Sequence, residues 1–225
     1  MSTKLLDSIE INTADQCEYS VIWLHGLGAS GHDFEPVVPE LNLLDRPGVR
    51  FVFPHAPVRP ITVNGGAAMR GWYDITSMDF GNRQQDTAGV RDSADHINAL
   101  IEAEIERGVS AGNILLAGFS QGGAIALFTA LTSSHKLGGV MALSTYLPIQ
   151  EAVLAELTEH GKQLPVFMAH GQFDDVIQIQ HAEQSHTVLS EHGIEVEWHS
   201  YAMAHSVSTE EVADISAWLK RQFGM

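Results

Sequence analysis

Cysteine is nearly absent from this chain, since Cys17 is the one thiol among 225 residues. A lone cysteine excludes an internal disulfide and any metal site built from several cysteines. The twelve histidines form no His-Glu-x-x-His pattern, and a phosphate-binding Gly-x-x-x-x-Gly-Lys-Ser/Thr loop is also missing. His181 and His186 are five residues apart and do not share a helix face. We therefore expect a protein that uses no metal and no cofactor.

Positive charge is scarce. Twelve Lys and Arg residues stand against 28 Asp and Glu residues, which leaves a formal net charge of −16 at pH 7. A surface of this charge repels nucleic acid and anionic lipid headgroups, and no run of Lys or Arg offsets it. The composition therefore excludes nucleic-acid binding and favours neutral or cationic partners.

Long apolar runs are also missing, because no window approaches the ~18 residues that a transmembrane helix needs. The first residues, Met1–Asp7, contain no signal-peptide core. We expect no stable insertion into a membrane and a cytosolic location. The chain has no internal repeat, low-complexity tract or linker-like run, so that residues 1–225 are expected to form one domain.

Short apolar segments alternate with longer amphipathic ones along most of the chain. The pattern predicts strands over 5–11, 19–24, 49–53, 113–118, 139–144, 165–169 and 194–200. It predicts helices over 33–44, 86–107, 121–131, 149–160, 179–192 and from Ser208 to about Phe223, with Ser208 and Glu211 as a capping box. This alternation is typical of an α/β fold with a mainly parallel central sheet and helices on both faces. The chain is too short for a large cap domain, and ligands should bind at the carboxyl ends of the strands.

Residues 55–83 follow no regular period. Large apolar side chains are nevertheless frequent there: Met69, Trp72, Tyr73, Ile75, Met78 and Phe80. A long irregular segment with so many of them is more typical of a loop over a functional site than of a solvated surface loop. Whether this loop moves as a lid is a question that the sequence leaves open.

The segment Gly118-Phe119-Ser120-Gln121-Gly122 lies between an apolar strand and an Ala-rich helix. This arrangement is typical of a Gly-x-Ser-x-Gly nucleophile elbow, in which the serine occupies a strained turn that larger neighbours would obstruct. The helix N-terminus behind Ser120 offers free N–H groups to a developing oxyanion. Three matched positions arise by chance in roughly 8% of such chains, so the prediction of Ser120 as a nucleophile requires partners.

A serine nucleophile needs a histidine base and a carboxylate that orients it, in the chain order Ser, acid, His. Eight histidines follow Ser120, and His205 is the one that lies in a loop between the last strand and the last helix. Asp174 and Asp175 both follow the strand over 165–169, and the pattern alone does not choose between them. We therefore predict His205 as the base and one of these two aspartates as the acid.

An oxyanion hole needs two backbone donors. The residue after the nucleophile, Gln121, should supply one of them. The glycine-rich loop His25-Gly26-Leu27-Gly28 follows an early strand and should supply the other, with the Leu27 N–H directed at the site. His25 is either a further catalytic candidate or a brace that holds this loop by hydrogen bonding.

Six motifs, spread over nearly the whole chain, stand in the order of one known family. They are Leu24-His25-Gly26-Leu27-Gly28, Phe53-Pro54-His55-Ala56-Pro57, Gly71-Trp72-Tyr73-Asp74, Gly118-Phe119-Ser120-Gln121-Gly122-Gly123-Ala124, His170-Gly171-Gln172-Phe173-Asp174-Asp175 and Met203-Ala204-His205. On these motifs the sequence resembles the phospholipase/carboxylesterase group of α/β-hydrolases, which includes small bacterial carboxylesterases and acyl-protein thioesterases.

The resemblance implies the α/β-hydrolase fold, with Ser120 as nucleophile, Asp174 as acid and His205 as base. It also implies that Leu27 and Gln121 supply the oxyanion-hole N–H groups, and that the protein forms a homodimer, for which the sequence has no independent signal. The acid loop departs from eukaryotic thioesterases, which tend to carry His-Gly-Asp-x-Asp-Pro there. This chain has Gly-Gln-Phe-Asp-Asp-Val over 171–176, which favours the bacterial esterase branch.

We therefore predict a serine carboxylesterase that hydrolyses small or short-to-medium acyl esters through an acyl-enzyme, so that its partner is a small-molecule ester. An acyl-protein or acyl thioesterase, or a lysophospholipase, would use the same triad, and a catalytically idle hydrolase fold that acts as a binding module is a further alternative. Five apolar side chains are candidates for an acyl-binding wall: Trp72, Ile75, Met78, Tyr146 and Leu147. Ordinary packing beneath the loop explains these five equally well.

Overall fold

Strands and helices alternate along the computed structural model, which describes residues 5–43, 47–77, 79 and 84–225. The strands are β1 (Ser8–Asn12), β2 (Tyr19–Leu24), β3 (Val49–Pro54), β4 (Val58–Ile61), β5 (Ala67–Arg70), β6 (Ile114–Phe119), β7 (Gly139–Leu143), β8 (Val166–Gly171) and β9 (Val196–Tyr201). The α-helices are α1 (Thr87–Glu106), α2 (Gln121–Thr132), α3 (Gln150–Glu156), α4 (Glu159–Lys162), α5 (Ile179–Glu191) and α6 (Thr209–Phe223).

Seven of the strands form one sheet in the order β1-β3-β2-β6-β7-β8-β9, and the other two form a separate hairpin, β4-β5. Within the large sheet β1 is antiparallel to β3, and every other neighbouring pair is parallel. Parallel neighbours need crossover connections, and the helices of the chain supply them. The predicted α/β architecture with a mainly parallel sheet is confirmed.

Both faces of the sheet are covered, which explains why the central strands are apolar along their whole length. On one face α1, α2 and α5 bury side chains such as Ile97, Ile125 and Leu189. On the other face α6 and a 3₁₀ segment over Glu35–Leu41 bury Trp218, Leu219 and Leu41. No helix among the described residues is both long enough and apolar enough to cross a lipid bilayer.

The structure differs from the sequence-based prediction in three segments. The helix predicted over 33–44 is a 3₁₀ segment over Glu35–Leu41, since Pro39 inside it cannot donate a helical hydrogen bond. The helix predicted over 149–160 divides into α3 and α4, because Thr158 begins a new helix by accepting a hydrogen bond from the Gly161 N–H (2.9 Å). Within 55–83 the β4-β5 hairpin is regular structure that the sequence pattern does not reveal.

The start of the last helix agrees with the prediction in part. Ser208 Oγ accepts a hydrogen bond from the Glu211 N–H (3.1 Å), as an N-cap does. The other half of the capping box is incomplete, because neither carboxylate oxygen of Glu211 makes a hydrogen bond among the described residues. Glu211 is instead fully buried.

Candidate active site

The predicted nucleophile follows β6 at the carboxyl edge of the sheet. Ser120 has φ 54° and ψ −121°, a backbone conformation that non-glycine residues rarely adopt. The two flanking glycines make this turn sterically possible. A Cβ at Gly118 would lie 2.3 Å from the carbonyl oxygen of Gly122, and a Cβ at Gly122 would lie 2.5 Å from that of His25. The serine is thus held at the tip of a tight strand–turn–helix unit.

An acid–base pair forms at the same edge, in the loops after β8 and β9. His205 Nδ1 donates a hydrogen bond to Asp174 Oδ2 over 2.7 Å. Asp174 is buried, whereas the neighbouring Asp175 is exposed. The tertiary structure therefore brings Asp174 to His205 and leaves Asp175 outside this contact.

Three donors form hydrogen bonds with the Asp174 carboxylate, and the side chain of His170 makes a fourth, longer contact with it. Its Oδ1 accepts the N–H groups of Val176 (2.9 Å) and Ile177 (2.8 Å), and its Oδ2 accepts His205. The buried His170 donates through Nε2 to the Ile177 carbonyl (2.8 Å) and lies 3.3 Å from Oδ2. Burial by itself raises the pKa of Asp174, but hydrogen bonds from His170, His205 and the Ile177 N–H hold this pKa well below its usual range. The carboxylate is therefore charged and oriented.

Phe119, within the elbow, links it to the predicted base by ring packing. Its ring packs against the imidazole of His205 with a centroid separation of 4.7 Å and against Phe34 at 5.7 Å. The described side chains of Ser120 and His205 make no hydrogen bond with each other. Catalytic hydrogen bonds are often long in free enzymes and shorten when substrate binds, so this geometry is compatible with a triad.

The two predicted oxyanion donors lie just beyond the ends of two neighbouring strands, β2 and β6. Leu24 at the end of β2 pairs with Gly118 of β6, which places the loop after β2 beside the elbow. The Gln121 N–H belongs to the first turn of α2, where backbone donors lack helical acceptors. The Leu27 N–H has no hydrogen-bond acceptor among the described residues. Both donors are thus available at the carboxyl edge of the sheet.

His25 braces the loop that carries Leu27. Its Nδ1–H donates to the Gly26 carbonyl (2.7 Å), and its Nε2 accepts the Ala56 N–H (3.0 Å). Burial lowers the pKa of His25 to about 4, against the opposing effect of the Gly26 hydrogen bond. Both ring nitrogens are therefore engaged in holding the loop, and the imidazole is neutral near pH 7.

The five acyl-wall candidates separate in the structure. Trp72 is fully buried and donates its indole N–H to the His25 carbonyl (2.8 Å), so that it has no exposed surface for an acyl chain. Tyr146 is buried and its hydroxyl lies 2.7 Å from that of Tyr73. Leu147 is buried in the core, and Ile75 is partly buried against it. Met78 lies outside the described residues.

Sequence reasoning missed two groups that shape the site. His170 ends a strand and has no pattern of its own, although the resemblance already includes it in a motif. The side-chain amide of Gln121 accepts the Trp72 N–H (2.7 Å) and donates to the Tyr73 carbonyl (2.6 Å). No local signal could have revealed this contact, because 49 residues separate Gln121 from Trp72. Among the described residues, no group of three or more His, Cys, Asp or Glu side chains is arranged to hold a metal ion.

Comparison with known proteins shows the family to which this chain belongs. The family model described as Phospholipase/Carboxylesterase matches residues 8–222. Acyl-protein thioesterase 1 of Neurospora crassa is 40% identical over 208 residues, which cover 89% of this chain and 85% of that protein. Acyl-protein thioesterase 1 of Cryptococcus neoformans is 35% identical over 232 residues, which cover 95% and 96%.

A plant carboxylesterase is similar in both sequence and structure. Carboxylesterase SOBER1 of Arabidopsis thaliana is 32% identical over 204 residues, which cover 90% of each chain. The crystal structure of SOBER1 superposes with a TM-score of 0.86 at 31% identity, over 91% of this chain and 98% of that one. The similarity therefore extends over nearly the full length of each protein.

Proposed function

Because this chain belongs to the phospholipase/carboxylesterase family of α/β-hydrolases and is a serine hydrolase, we propose that it cleaves acyl thioesters, above all those that join an acyl chain to a protein cysteine. Hydrolysis of oxyesters by the same residues is the second activity in this proposal. Ser120 is the nucleophile, His205 the base and Asp174 the acid. The N–H groups of Leu27 and Gln121 form the oxyanion hole.

The observation that carries the proposal is the 2.7 Å hydrogen bond from His205 Nδ1 to Asp174 Oδ2, at the same sheet edge as the strained Ser120. This bond fixes the tautomer, so that the lone pair of His205 Nε2 is free to take a proton. The low pKa of Asp174 keeps its carboxylate charged, which stabilises the imidazolium that forms.

Acylation follows from these contacts. His205 Nε2 takes the hydroxyl proton of Ser120 as Oγ attacks the carbonyl carbon of the substrate. The carbonyl oxygen becomes an oxyanion between the N–H groups of Leu27 and Gln121. When the carbon–sulfur bond breaks, the proton on His205 passes to the departing thiol. Ser120 then carries the acyl group as an ester.

Deacylation repeats these steps with water. His205 Nε2 takes a proton from a water molecule, and the resulting hydroxide attacks the acyl-enzyme carbonyl. The same two N–H groups hold the second oxyanion, and Ser120 Oγ leaves with the proton that His205 returns. The products are a free fatty acid and a thiol, or an alcohol when the substrate is an oxyester.

The choice of thioesters departs from the small-ester carboxylesterase that the sequence predicts. The acid loop argued against thioesterases, yet two of the relatives reported above are called acyl-protein thioesterases and match most of this chain. Their acid loop is one segment of a similarity that covers the whole domain, so we give the full-length match more weight. The kinship with a carboxylesterase supports the oxyester activity.

A matched pair of peptides tests the substrate class. The two peptides have the same sequence and the same octanoyl group, which is attached to cysteine in one and to serine in the other. We expect kcat/KM to be at least about tenfold higher for the S-octanoyl peptide. In a series of S-acyl peptides from acetyl to palmitoyl, we expect kcat/KM to pass through a maximum as the acyl chain lengthens. A higher kcat/KM for the O-octanoyl peptide would contradict the thioester preference and show that the protein is mainly a carboxylesterase.

Two aspartates provide a control for the triad. Asp174→Asn should lower kcat by about 10⁴-fold, because an asparagine favours the wrong tautomer of His205. Asp175→Asn, an exposed neighbour, should change kcat less than twofold. Failure of a fluorophosphonate to label Ser120, together with no hydrolysis of either peptide, would instead indicate an idle fold that acts as a binding module.

A further inference from the structure

The segment Arg70-Gly71-Trp72-Tyr73, here called the strap, crosses the boundary between the two halves of the oxyanion hole. One half is the loop after β2 with Leu27, and the other is the elbow with Gln121. These donors follow two different strands, β2 and β6, so the chain between them does not itself set their separation. The contacts of the strap with both halves therefore bear on the geometry of the hole.

The strap binds the loop after β2 through two hydrogen bonds. The Gly28 N–H donates to the Arg70 carbonyl over 2.8 Å, one residue beyond Leu27. The indole N–H of Trp72 donates to the His25 carbonyl over 2.8 Å, two residues before Leu27. The backbone that presents the Leu27 N–H is thus held on both sides.

The strap binds the elbow through the side chain of Gln121. Gln121 Oε1 accepts the Trp72 N–H (2.7 Å), and Gln121 Nε2 donates to the Tyr73 carbonyl (2.6 Å). Gln121 is 2% exposed and Trp72 is 0% exposed, so water does not compete for these bonds. The same residue that offers its backbone N–H to the oxyanion therefore ties its side chain to the strap.

Gly71 brings the two halves into direct contact with the strap. A Cβ at this position would lie 3.0 Å from Leu27 Cδ1 and 3.5 Å from Gln121 Oε1. The strap therefore packs closely against the Leu27 side chain and lies within ordinary van der Waals distance of the Gln121 amide. A larger residue at position 71 would press on the side chain of Leu27 and on that of Ile61, whose Cδ1 also lies 3.0 Å from the Cβ position.

We propose that the side-chain amide of Gln121 and the indole N–H of Trp72 are positioning groups, which through the strap set the distance between the two oxyanion donors. An oxyanion donor must lie about 2.7–3.1 Å from the developing charge, and a displacement of about 1 Å costs roughly 100-fold in rate. The substrate carbonyl carries little charge before attack, so these groups act on the transition state more than on substrate binding. The proposal rests on the proposed function of Ser120 and its two donors.

Trp72→Phe and Gln121→Met test this role. Trp72→Phe keeps an aromatic ring and removes the hydrogen bond to the His25 carbonyl. Gln121→Met keeps the length of the side chain and removes both hydrogen bonds of its amide group. We expect kcat to fall about tenfold and about hundredfold, respectively, with KM within twofold of the wild type. The inhibition constant of a trifluoromethyl ketone, which forms an oxyanion on Ser120, should rise by the same factor as kcat/KM falls.

Trp23→Phe is the matched control. Trp23 is 1% exposed on β2, and its indole nitrogen has no hydrogen-bond partner among the described residues, so this change removes ring volume without removing a hydrogen bond. It should leave kcat and ketone affinity within about twofold even if it lowers the melting temperature as much as Trp72→Phe does. If Gln121→Met fails to fold, the comparison of kcat and ketone affinity between Trp72→Phe and Trp23→Phe tests the positioning role by itself.

Equal losses in Trp72→Phe and Trp23→Phe, or a Trp72→Phe enzyme with unchanged kcat and ketone affinity, would overturn the positioning role. The proposed function fails in a different way. In that case the wild type itself shows no hydrolysis that depends on Ser120 and no labelling of Ser120 by a fluorophosphonate.

Discussion

A buried carboxyl group with no hydrogen bond stands at the start of α6. Both carboxylate oxygens of Glu211 lack a hydrogen-bond partner among the described residues, although the Ser208 N–H faces them. Burial raises the pKa of Glu211 to about 8, the facing Ser208 N–H partly offsets this rise, and the charge of Asp214 adds to it. Asp214 in turn accepts the Tyr201 hydroxyl (2.8 Å) and lies 3.5 Å from His199 Nδ1.

Glu211 should make the stability of the protein depend on pH. Its folded pKa of about 8 lies above the ordinary value of 4.5, so the folded state binds more protons between these two values. The free energy of unfolding should therefore fall as the pH rises from 5 to 8, by about 4 kcal/mol from this group. Glu211→Gln should remove that part of the decline, as urea unfolding at both pH values will measure.

The comparison with Glu211→Gln separates the effect of Glu211 on the pH dependence of stability from the effect of His25. The pKa of His25 is lowered to about 4, so that its contribution to stability is lost as the pH falls below 6.5, which is the opposite trend. Both proteins contain His25, and its effect cancels in the difference. An equal decline in the wild type and in Glu211→Gln would contradict the prediction.

Among the elements, the turns that follow β6 and β7 concentrate backbone strain. Four non-glycine residues of the described chain have positive φ, and three of them, Ser120, Ser144 and Ile149, follow these two strands. Strain of this kind costs about 1–3 kcal/mol per residue and persists where the surrounding structure holds it. The elbow keeps Ser120 in place through the Ser120 N–H, which donates to Leu143 (2.9 Å), and through Thr145 Oγ1, which donates to the Ser120 carbonyl (2.7 Å).

Replacing Ser120, the proposed nucleophile, by a residue that tolerates positive φ should relieve this strain and stabilise the folded state. Ser120→Gly and Ser120→Ala both remove the hydroxyl group of the proposed nucleophile. We expect Ser120→Gly to be the more stable variant by about 1 kcal/mol, because glycine adopts φ 54° without steric cost. Denaturant unfolding of the two variants measures the difference.

Ser110 provides the matched pair for this comparison. Its φ of −63° is an ordinary one, so Ser110→Ala should be more stable than Ser110→Gly by about 0.4–1 kcal/mol. The sign of the Gly–Ala difference should thus reverse between the two positions. The same sign at both would show that the elbow is not strained.

The whole molecule carries a net charge of −16 at pH 7 and has an isoelectric point near 5.0. Arginines of the described surface are partly neutralised in pairs such as Arg91–Glu156, yet acidic groups outnumber basic ones by more than two to one. Self-repulsion of this surplus opposes the folded state, because folding brings the charges together. Salt weakens that repulsion, since the screening length shortens to about 8 Å at 0.15 M.

Sodium chloride should therefore stabilise the protein at pH 8. Between 10 mM and 200 mM salt we expect a gain of about 1 kcal/mol, which corresponds to roughly 2–4 °C in melting temperature for a chain of this size. Differential scanning calorimetry measures the shift. At pH 5, near the isoelectric point, the same salt step should change the melting temperature little, and an equal shift at both pH values would rule out self-repulsion as the cause.

Two expectations about the whole molecule stay predictions. They are the homodimer that the resemblance implies and the cytosolic location. Light scattering against the chain mass of 24.5 kDa distinguishes a dimer from a monomer. Cell fractionation tests the location.

Local patterns in the sequence were sufficient to predict the order of the elements and to nominate two members of the proposed triad. Ser120 is marked by its glycines and His205 by its place in a loop, and each mark lies within a few residues of the side chain concerned. The repeats of about 3.6 and 2 residues that distinguish helices from strands are equally local. The β4-β5 hairpin had no such mark, because each of its strands is only four residues long and Pro60 lies within the first of them.

The sequence by itself determined the α/β alternation and the chain order of Ser120, an aspartate and His205, since both are written in short stretches of chain. The tertiary structure alone decided which side chains meet across long separations. It directs to His205 the carboxylate of Asp174, which local pattern had not separated from that of Asp175 and which the resemblance favoured, and it places His170 3.3 Å from that carboxylate. It also shows that Trp72, a candidate for the acyl wall, donates a hydrogen bond to the His25 carbonyl. The physical reason is that the Asp174–His205 and Trp72–His25 contacts join residues 31 and 47 positions apart, and only the pairing of strands into a sheet brings such residues together.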